Sequence, residues 1–243
     1  MTTLQQIKRL YSLSEDHNYG FSDDEIARLE TRLNVQLPEK LKDYYLTLGK
    51  NGQINYVHNR LLKPDQEIDF SEDRYLVFYE ENQTVAYWGI KEEDLKLPDP
   101  PVWGNYGTDE NPDWVMEAKT TGIFFLLMAA YNGTMGGLKH HANSFTEIDE
   151  SVVSYIKQNW AEVPEISWEK QRVYTDDFYE IISLCFDEQQ NCTAAFIGTA
   201  DRERFGEILE RLDIDWSYTS DEDEDDEEYD DEEQDQKDSG ASS

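Results

Sequence analysis

The chain has few of the features that mark an exported, membrane-spanning or metal-binding protein. Only two cysteines occur, Cys185 and Cys192, which excludes a disulfide framework and a cysteine-rich zinc site. The pattern leaves open whether they pair, and it favours free thiols because no export signal is present. No apolar run approaches the roughly 18 residues of a membrane helix. We therefore expect a cytoplasmic protein.

Positive charge is also scarce. Lys and Arg number 21 against 54 Asp and Glu, which gives a formal net charge of −33 at pH 7. The segment from Asp221 to Asp238 holds fourteen acidic residues and one lysine, and the rest of the chain still carries −20. Such a surface repels nucleic-acid phosphates and anionic lipid headgroups, and it attracts basic proteins. The composition therefore favours a basic protein partner over nucleic acid or a membrane.

No arrangement typical of catalysis or of a cofactor site is present. His140 and His141 lack a third ligand at zinc spacing, and we interpret them as a loop pair. The glycine-rich segment 133–137 lacks the Gly-Lys-Ser/Thr ending of a phosphate loop, so we interpret it as a flexible connection. Paired carboxylates arise by chance in so acidic a chain and do not identify a general acid and base. We predict no enzyme, no cofactor and no metal.

Hydrophobic periodicity predicts an α+β fold. Three short helices come first, one of them capped by Ser22 and Glu25, and another beginning at Pro38. The further predicted elements are strands at 75–80, 84–90 and 114–118, a buried helix at 123–131, an amphipathic helix at 151–160, and then strands and a helix up to residue 218. We divide the chain into a domain at 1–163, a small α+β extension at 164–219 and a disordered acidic tail at 220–243. The pattern leaves open whether the extension forms its own sheet or lengthens the first one.

A series of short motifs between Phe21 and Trp160 gives the chain a resemblance to a known family. The motifs are Ile26, Leu29-Glu30, Leu37-Pro38, Tyr44, Leu48-Gly49, Tyr87-Trp88-Gly89-Ile90, Asp99-Pro100-Pro101-Val102 and Trp114. In order and spacing they resemble the SUKH superfamily, best known for bacterial immunity proteins that neutralise toxins, with relatives among fungal cell-wall regulators. The resemblance implies a mixed sheet flanked by helices and a non-enzymatic protein that binds a cognate toxin, often a nuclease. It does not extend beyond residue 164.

Charge and resemblance lead to the same functional expectation, an immunity protein that blocks a basic toxin. The alternative is a regulatory scaffold or chaperone for basic proteins, and a hydrolase that uses surface carboxylates is the least favoured. Candidate contact residues are the acidic side chains crowded between 65 and 81, with one tryptophan from an irregular, proline-bounded segment: Glu67, Asp69, Glu72, Asp73, Glu80, Glu81 and Trp103. A merely solvated acidic surface is the competing interpretation. Trp88 is expected to be a buried core residue.

Overall fold

The computed structural model describes residues 1–108 and 110–221. The helices in these ranges are α1 (Thr3–Leu10), α2 (Asp23–Leu33), α3 (Glu39–Leu48), α4 (Gly52–Asn55), α5 (Thr121–Asn132), α6 (Glu150–Asn159) and α7 (Arg202–Arg211). The strands are β1 (Arg60–Leu61), β2 (Asp69–Phe70), β3 (Tyr75–Glu80), β4 (Tyr87–Lys91), β5 (Val102–Asn105), β6 (Trp114–Ala118), β7 (His140–Ser144), β8 (Ala161–Glu162), β9 (Gln171–Thr175), β10 (Glu180–Phe186), β11 (Cys192–Thr199) and β12 (Tyr218–Thr219). The predicted α+β class is confirmed, whereas most of the predicted tail lies outside the described residues.

The first sheet has the order β1-β3-β4-β5-β6, with β2 also paired to β3. The predicted hairpin of β3 and β4 is confirmed at its centre. On β3, Leu76 and Phe78 are fully buried while Tyr75 and Val77 are half-buried. This alternation is expected of a strand with one face on the core, and it leaves the second face of the sheet accessible.

Helix α5 forms the centre of the core. Its Phe124 and Phe125 rings pack against Phe78 of β3, with centroids 5.5 and 5.8 Å away, and Phe125 also stacks on Tyr44 of α3. The hydroxyl of Tyr11, the residue that follows α1, donates to the Ala129 carbonyl over 2.8 Å. Neighbours surround the helix, which explains why nearly every position of it is apolar. The predicted buried helix is confirmed.

The second sheet has the order β12-β7-β11-β10-β9-β8. Val173 and Ile181 of one face join the core around α5, and the other face is covered by Ile156 of α6 and Phe205 of α7. The residues after 164 therefore contribute to a separate sheet instead of lengthening the first. The predicted division at residue 164 passes through this sheet, because β7 pairs with β11.

Several expectations need correction. Every strand pair of the described residues is antiparallel, so the parallel pairing of a mixed sheet is not found there. His140 and His141 are not in a loop but in β7, where neighbouring strands on both sides supply hydrogen bonds. The segment 133–137 is not a loose connection but a closely packed π-helical turn. At Gly137, a Cβ atom would lie 2.3 Å from the Gln53 carbonyl oxygen.

Candidate partner-binding groove

A groove of about 750 Å³ opens on the accessible face of the first sheet. Its carboxylates are Glu67, Asp69, Glu72, Asp73, Glu80 and Glu110, and its other lining residues are Leu62, Phe70, Ser71, Val77, Thr84, Ala86, Tyr87 and Pro112. None of these is Lys or Arg. We call this feature the acidic groove. Its apolar floor and carboxylate walls provide both contact area and charge for a ligand.

Two arginines neutralise half of these carboxylates. Arg60 pairs with Glu67 over 3.2 Å, and its Nε donates to Oε1 of Glu80 over 2.7 Å. Arg32 of α2 lies 3.6 Å from the Asp69 carboxylate. These contacts hold the three acidic side chains in place and reduce the charge that they offer to a partner.

The other three carboxylates have no ion-pair partner within residues 1–108 and 110–221. Glu72 and Glu110 are exposed. Asp73 accepts hydrogen bonds from Nε1 of Trp114 over 2.5 Å and from the Ser71 hydroxyl over 2.7 Å. Burial, together with the charges of Asp73 and two further carboxylates, raises the pKa of Tyr75. The groove therefore presents uncompensated negative charge.

Four aromatic side chains lie beside the groove on the same sheet face. Trp114 of the edge strand β6 crosses β5 and β4 to stack on Tyr75 of β3, with ring centroids 3.7 Å apart. Tyr87, which also lines the groove, meets the edge of Trp114 at 5.6 Å. Trp103 lies 6.4 Å from Tyr75, and the Lys91 ammonium sits 3.8 Å from the centre of the Trp103 ring. We call Tyr75, Tyr87, Trp103 and Trp114 the aromatic platform.

The structure brings together five of the six predicted acidic residues, namely Glu67, Asp69, Glu72, Asp73 and Glu80. Glu81 does not line the groove, because its carboxylate caps the β3–β4 turn by accepting the backbone N–H of Gln83 over 2.7 Å. Trp103 is not in an irregular segment but in β5, half-buried, with its indole Nε1 enclosed and without a hydrogen-bond acceptor.

Sequence reasoning missed four contributors to this surface, namely Glu110, Tyr75, Tyr87 and Trp114. Glu110 lies in the β5–β6 loop, whose sequence has no periodicity to predict its position. Tyr75, Tyr87 and Trp114 were assigned to strands but not to the accessible face. Their signal is present, since Tyr75 alternates with buried Leu76 on β3. A strand-by-strand assignment of faces would have identified Tyr75.

The remaining reactive groups do not form a second site of this kind. His140 is buried, with Nδ1 at 3.3 Å from Oδ1 of Asp221. Cys185 and Cys192 are free thiols, and burial raises the pKa of both, that of Cys192 to about 11. Such thiols are poor nucleophiles at neutral pH. Throughout the described ranges, no three His, Cys, Asp or Glu side chains are grouped to hold a metal ion.

Comparisons with family models, with curated proteins and with solved structures give no match for this chain. Within the part of the chain that the structure covers, no helix has the length and apolar character needed to cross a membrane. The acidic groove and the aromatic platform are therefore the features of the described residues from which a function can be inferred.

Proposed function

We propose that this chain is a non-enzymatic immunity protein of the SUKH type, which neutralises a basic toxin domain in the cytoplasm by stoichiometric binding. The observation that supports the proposal is the acidic groove. Five carboxylates predicted from the sequence as partner contacts line it, and Glu110 joins them from a distant loop. Among the described residues that line the groove, none is basic.

The physical basis is charge complementarity with a floor of apolar contact. A nuclease must be basic where it binds phosphates, and an acidic groove attracts such a surface and accelerates its association. Val77 in the floor provides apolar area that strengthens the complex after the charges have brought the partners together, whereas the Arg74 guanidinium already lies 4.3 Å from the centre of the Phe70 ring. Occupation of the basic surface then blocks the substrate.

Two exposed carboxylates allow a test that leaves the fold intact. Glu72→Lys combined with Glu110→Lys reverses unpaired charges of the groove, whereas reversal of Glu80 would break its half-buried pair with Arg60. The matched control is Glu169→Lys combined with Glu210→Lys, which makes the same change in net charge at exposed positions outside the groove. Because exposed charges contribute little to stability, both variants should melt like the wild type.

The assay is co-expression with the protein encoded by the neighbouring gene, scored by cell survival and by the affinity of the purified pair. We expect the wild type and the control to protect cells in a one-to-one complex. The groove variant should bind about tenfold more weakly or worse, since like charges then meet across the interface. Equal protection by both variants would remove the groove from the proposal. If the wild type bound many unrelated basic proteins with similar affinity, the result would favour a scaffold for basic proteins over an immunity protein.

A further inference from the structure

One cation of the protein itself occupies the aromatic platform. The Lys91 ammonium lies 3.8 Å from the centre of the Trp103 ring and 6.0 Å from that of Tyr75. Lys91 makes no ion pair with any carboxylate in the described ranges, so the ring faces are its principal polar contact. Aromatic faces carry negative potential and attract cations in this position. The platform thus already functions as a cation site within the molecule.

The platform and the acidic groove form one continuous surface. Asp73 lines the groove and also accepts the indole N–H of Trp114, and Tyr87 belongs to both features. A basic polypeptide lying in the groove therefore passes directly beside the rings. The four rings are half-buried and keep part of their surface open to solvent.

We propose that the aromatic platform accepts an arginine side chain of the basic partner, which takes the place of Lys91 on Trp103. This inference rests on the proposed function, because the carboxylates of the groove bring the partner to the platform. A guanidinium is planar and weakly hydrated, so it stacks on an indole more favourably than the strongly hydrated ammonium of Lys91. The released lysine returns to water, where its charge is well solvated. The partner that fits is an arginine-bearing polypeptide.

The test uses the full-length protein and a nona-arginine peptide, with nona-citrulline as the uncharged control and calorimetry at low salt as the readout. Lys91→Ala vacates the platform, and Lys96→Ala removes the same charge from an exposed position that lines neither feature. Both variants gain affinity because one repulsive charge is lost. Lys91→Ala should gain about 2- to 5-fold more than Lys96→Ala, which corresponds to one exposed cation–π contact.

A second variant shows whether the Trp103 ring causes the additional gain in affinity of Lys91→Ala. Trp103→Leu, introduced together with Lys91→Ala, should cancel the additional gain, and Trp103→Phe should retain part of it because a ring remains. In the wild type, the indole N–H resonances of Trp103 and Trp114 should shift with nona-arginine and not with nona-citrulline. If Trp103→Leu impairs folding, the comparison between Lys91→Ala and Lys96→Ala still shows whether vacating the platform strengthens arginine binding.

The outcomes separate this inference from the proposed function. Equal gains in affinity for Lys91→Ala and Lys96→Ala, or no binding of nona-arginine to the wild type, would contradict the proposal that the platform binds arginine. The immunity function would not be affected by this result, because the survival assay tests it separately. If Glu72→Lys with Glu110→Lys weakens peptide binding no more than the control pair does, the groove itself is overturned and the platform with it. A gain specific to Lys91→Ala that requires Trp103 supports the inference.

Discussion

Gly104 of β5 lies directly opposite Trp88 of β4, and a Cβ atom at position 104 would come within 2.9 Å of the Trp88 indole nitrogen. The absence of a side chain at this position allows the indole to lie across β5. Trp88 is 5% exposed, as predicted from the sequence, and its Nε1 donates to Oε2 of Glu117 over 3.2 Å. The ring also contacts Phe124 of α5 and so connects the first sheet to the central helix.

Removal of the Trp88 side chain should strongly destabilise the fold. We predict that Trp88→Ala lowers the free energy of unfolding by about 3–5 kcal/mol, because the cavity cannot be filled by the rigid sheet around it. Urea denaturation measures the change. Trp168→Ala is the matched control, since Trp168 is 45% exposed and its loss should cost about 0.5 kcal/mol or less. Equal effects of the two substitutions would contradict the assignment of Trp88 to the core.

Elements could be predicted from the sequence where the local hydrophobic pattern matches the burial that the fold imposes. Helix α5 was evident because an apolar segment of that length has to be enclosed. Strand β7 was missed because His140, His141 and Asn143 are poor strand formers, and its conformation depends on pairing with β11 and β12. Pro100 and Pro101 predict an irregular segment around Trp103, whereas β5 begins immediately after them.

In the candidate site, too, some residues could be placed from the sequence alone and others could not. Its carboxylates between 67 and 80 are close in sequence, so their clustering could be predicted before the fold was known. Glu110 reaches the groove only because β5 and β6 bring its loop back to the sheet, and Trp114 reaches Tyr75 only because it crosses two strands. Such contacts depend on topology, which local patterns do not specify.

The capping box of α2 gives a prediction about pH. The Glu25 carboxylate accepts the backbone N–H and hydroxyl of Ser22 and pairs with Lys50, and these contacts, the backbone hydrogen bond foremost, lower its pKa from 4.5 to about 2. A carboxyl whose pKa is lower in the folded state stabilises the fold above pH 4.5 and loses this contribution as pH falls towards 2.

Glu25→Gln keeps the shape of the capping box but removes the titration. We expect the variant to melt below the wild type at neutral pH, with the difference shrinking as the pH is lowered from about 4.5 to about 2. Thermal melts over this pH range measure it. Glu93→Gln is the control, because Glu93 is exposed and the structure records no hydrogen bond to its side chain. A difference for Glu25→Gln that stays constant with pH would contradict the prediction.

The buried carboxylate of Glu180 in β10 joins the end of α6, the turn between β9 and β10, and α7. Oε1 of Glu180 accepts the Trp160 indole N–H over 2.9 Å and the backbone N–H of Asp176 over 2.8 Å, while Oε2 accepts Arg204 over 2.8 Å. Glu180→Ala leaves the Trp160 indole N–H and the Asp176 N–H without this acceptor and leaves Arg204 only its exposed pair with Asp176, and we predict a loss of about 3–5 kcal/mol in unfolding free energy. Glu180→Gln should cost less, since one amide oxygen remains. Glu162→Ala, at an exposed ion pair, should cost about 0–1 kcal/mol. A loss for Glu180→Ala as small as that for Glu162→Ala would show that the buried network is not a stabilising element.

The C-terminal limit of the folded part can be placed by truncation. The Ser220 hydroxyl accepts the backbone N–H of His141 over 3.0 Å, and Asp221 lies against His140. Because the composition of residues 222–243 predicts a disordered tail, their deletion should leave the melting temperature nearly unchanged. Deletion of residues 220–243 should lower the unfolding free energy by about 1 kcal/mol, because the half-buried backbone N–H of His141 loses its partner. The two truncations compared by thermal denaturation test this limit, and identical melting temperatures would place it before Ser220.

The same truncation tests how the terminal charges act on a partner. Residues 222–243 contain thirteen acidic residues and one lysine. Their long-range attraction should speed the approach of a basic partner without adding to the contacts of the groove. We therefore predict that deletion of 222–243 lowers the association rate with the basic partner of the proposed function at low salt and leaves the dissociation rate unchanged. Because screening confines exposed charges to about 10 Å at 0.1 M salt and about 3 Å at 1 M, the rates of the two proteins should converge as salt is raised. Stopped-flow measurements over a salt series provide the test.

If the truncated and full-length proteins show parallel salt dependences, these residues take no part in steering. A faster dissociation of the truncated protein would show that they contact the partner directly.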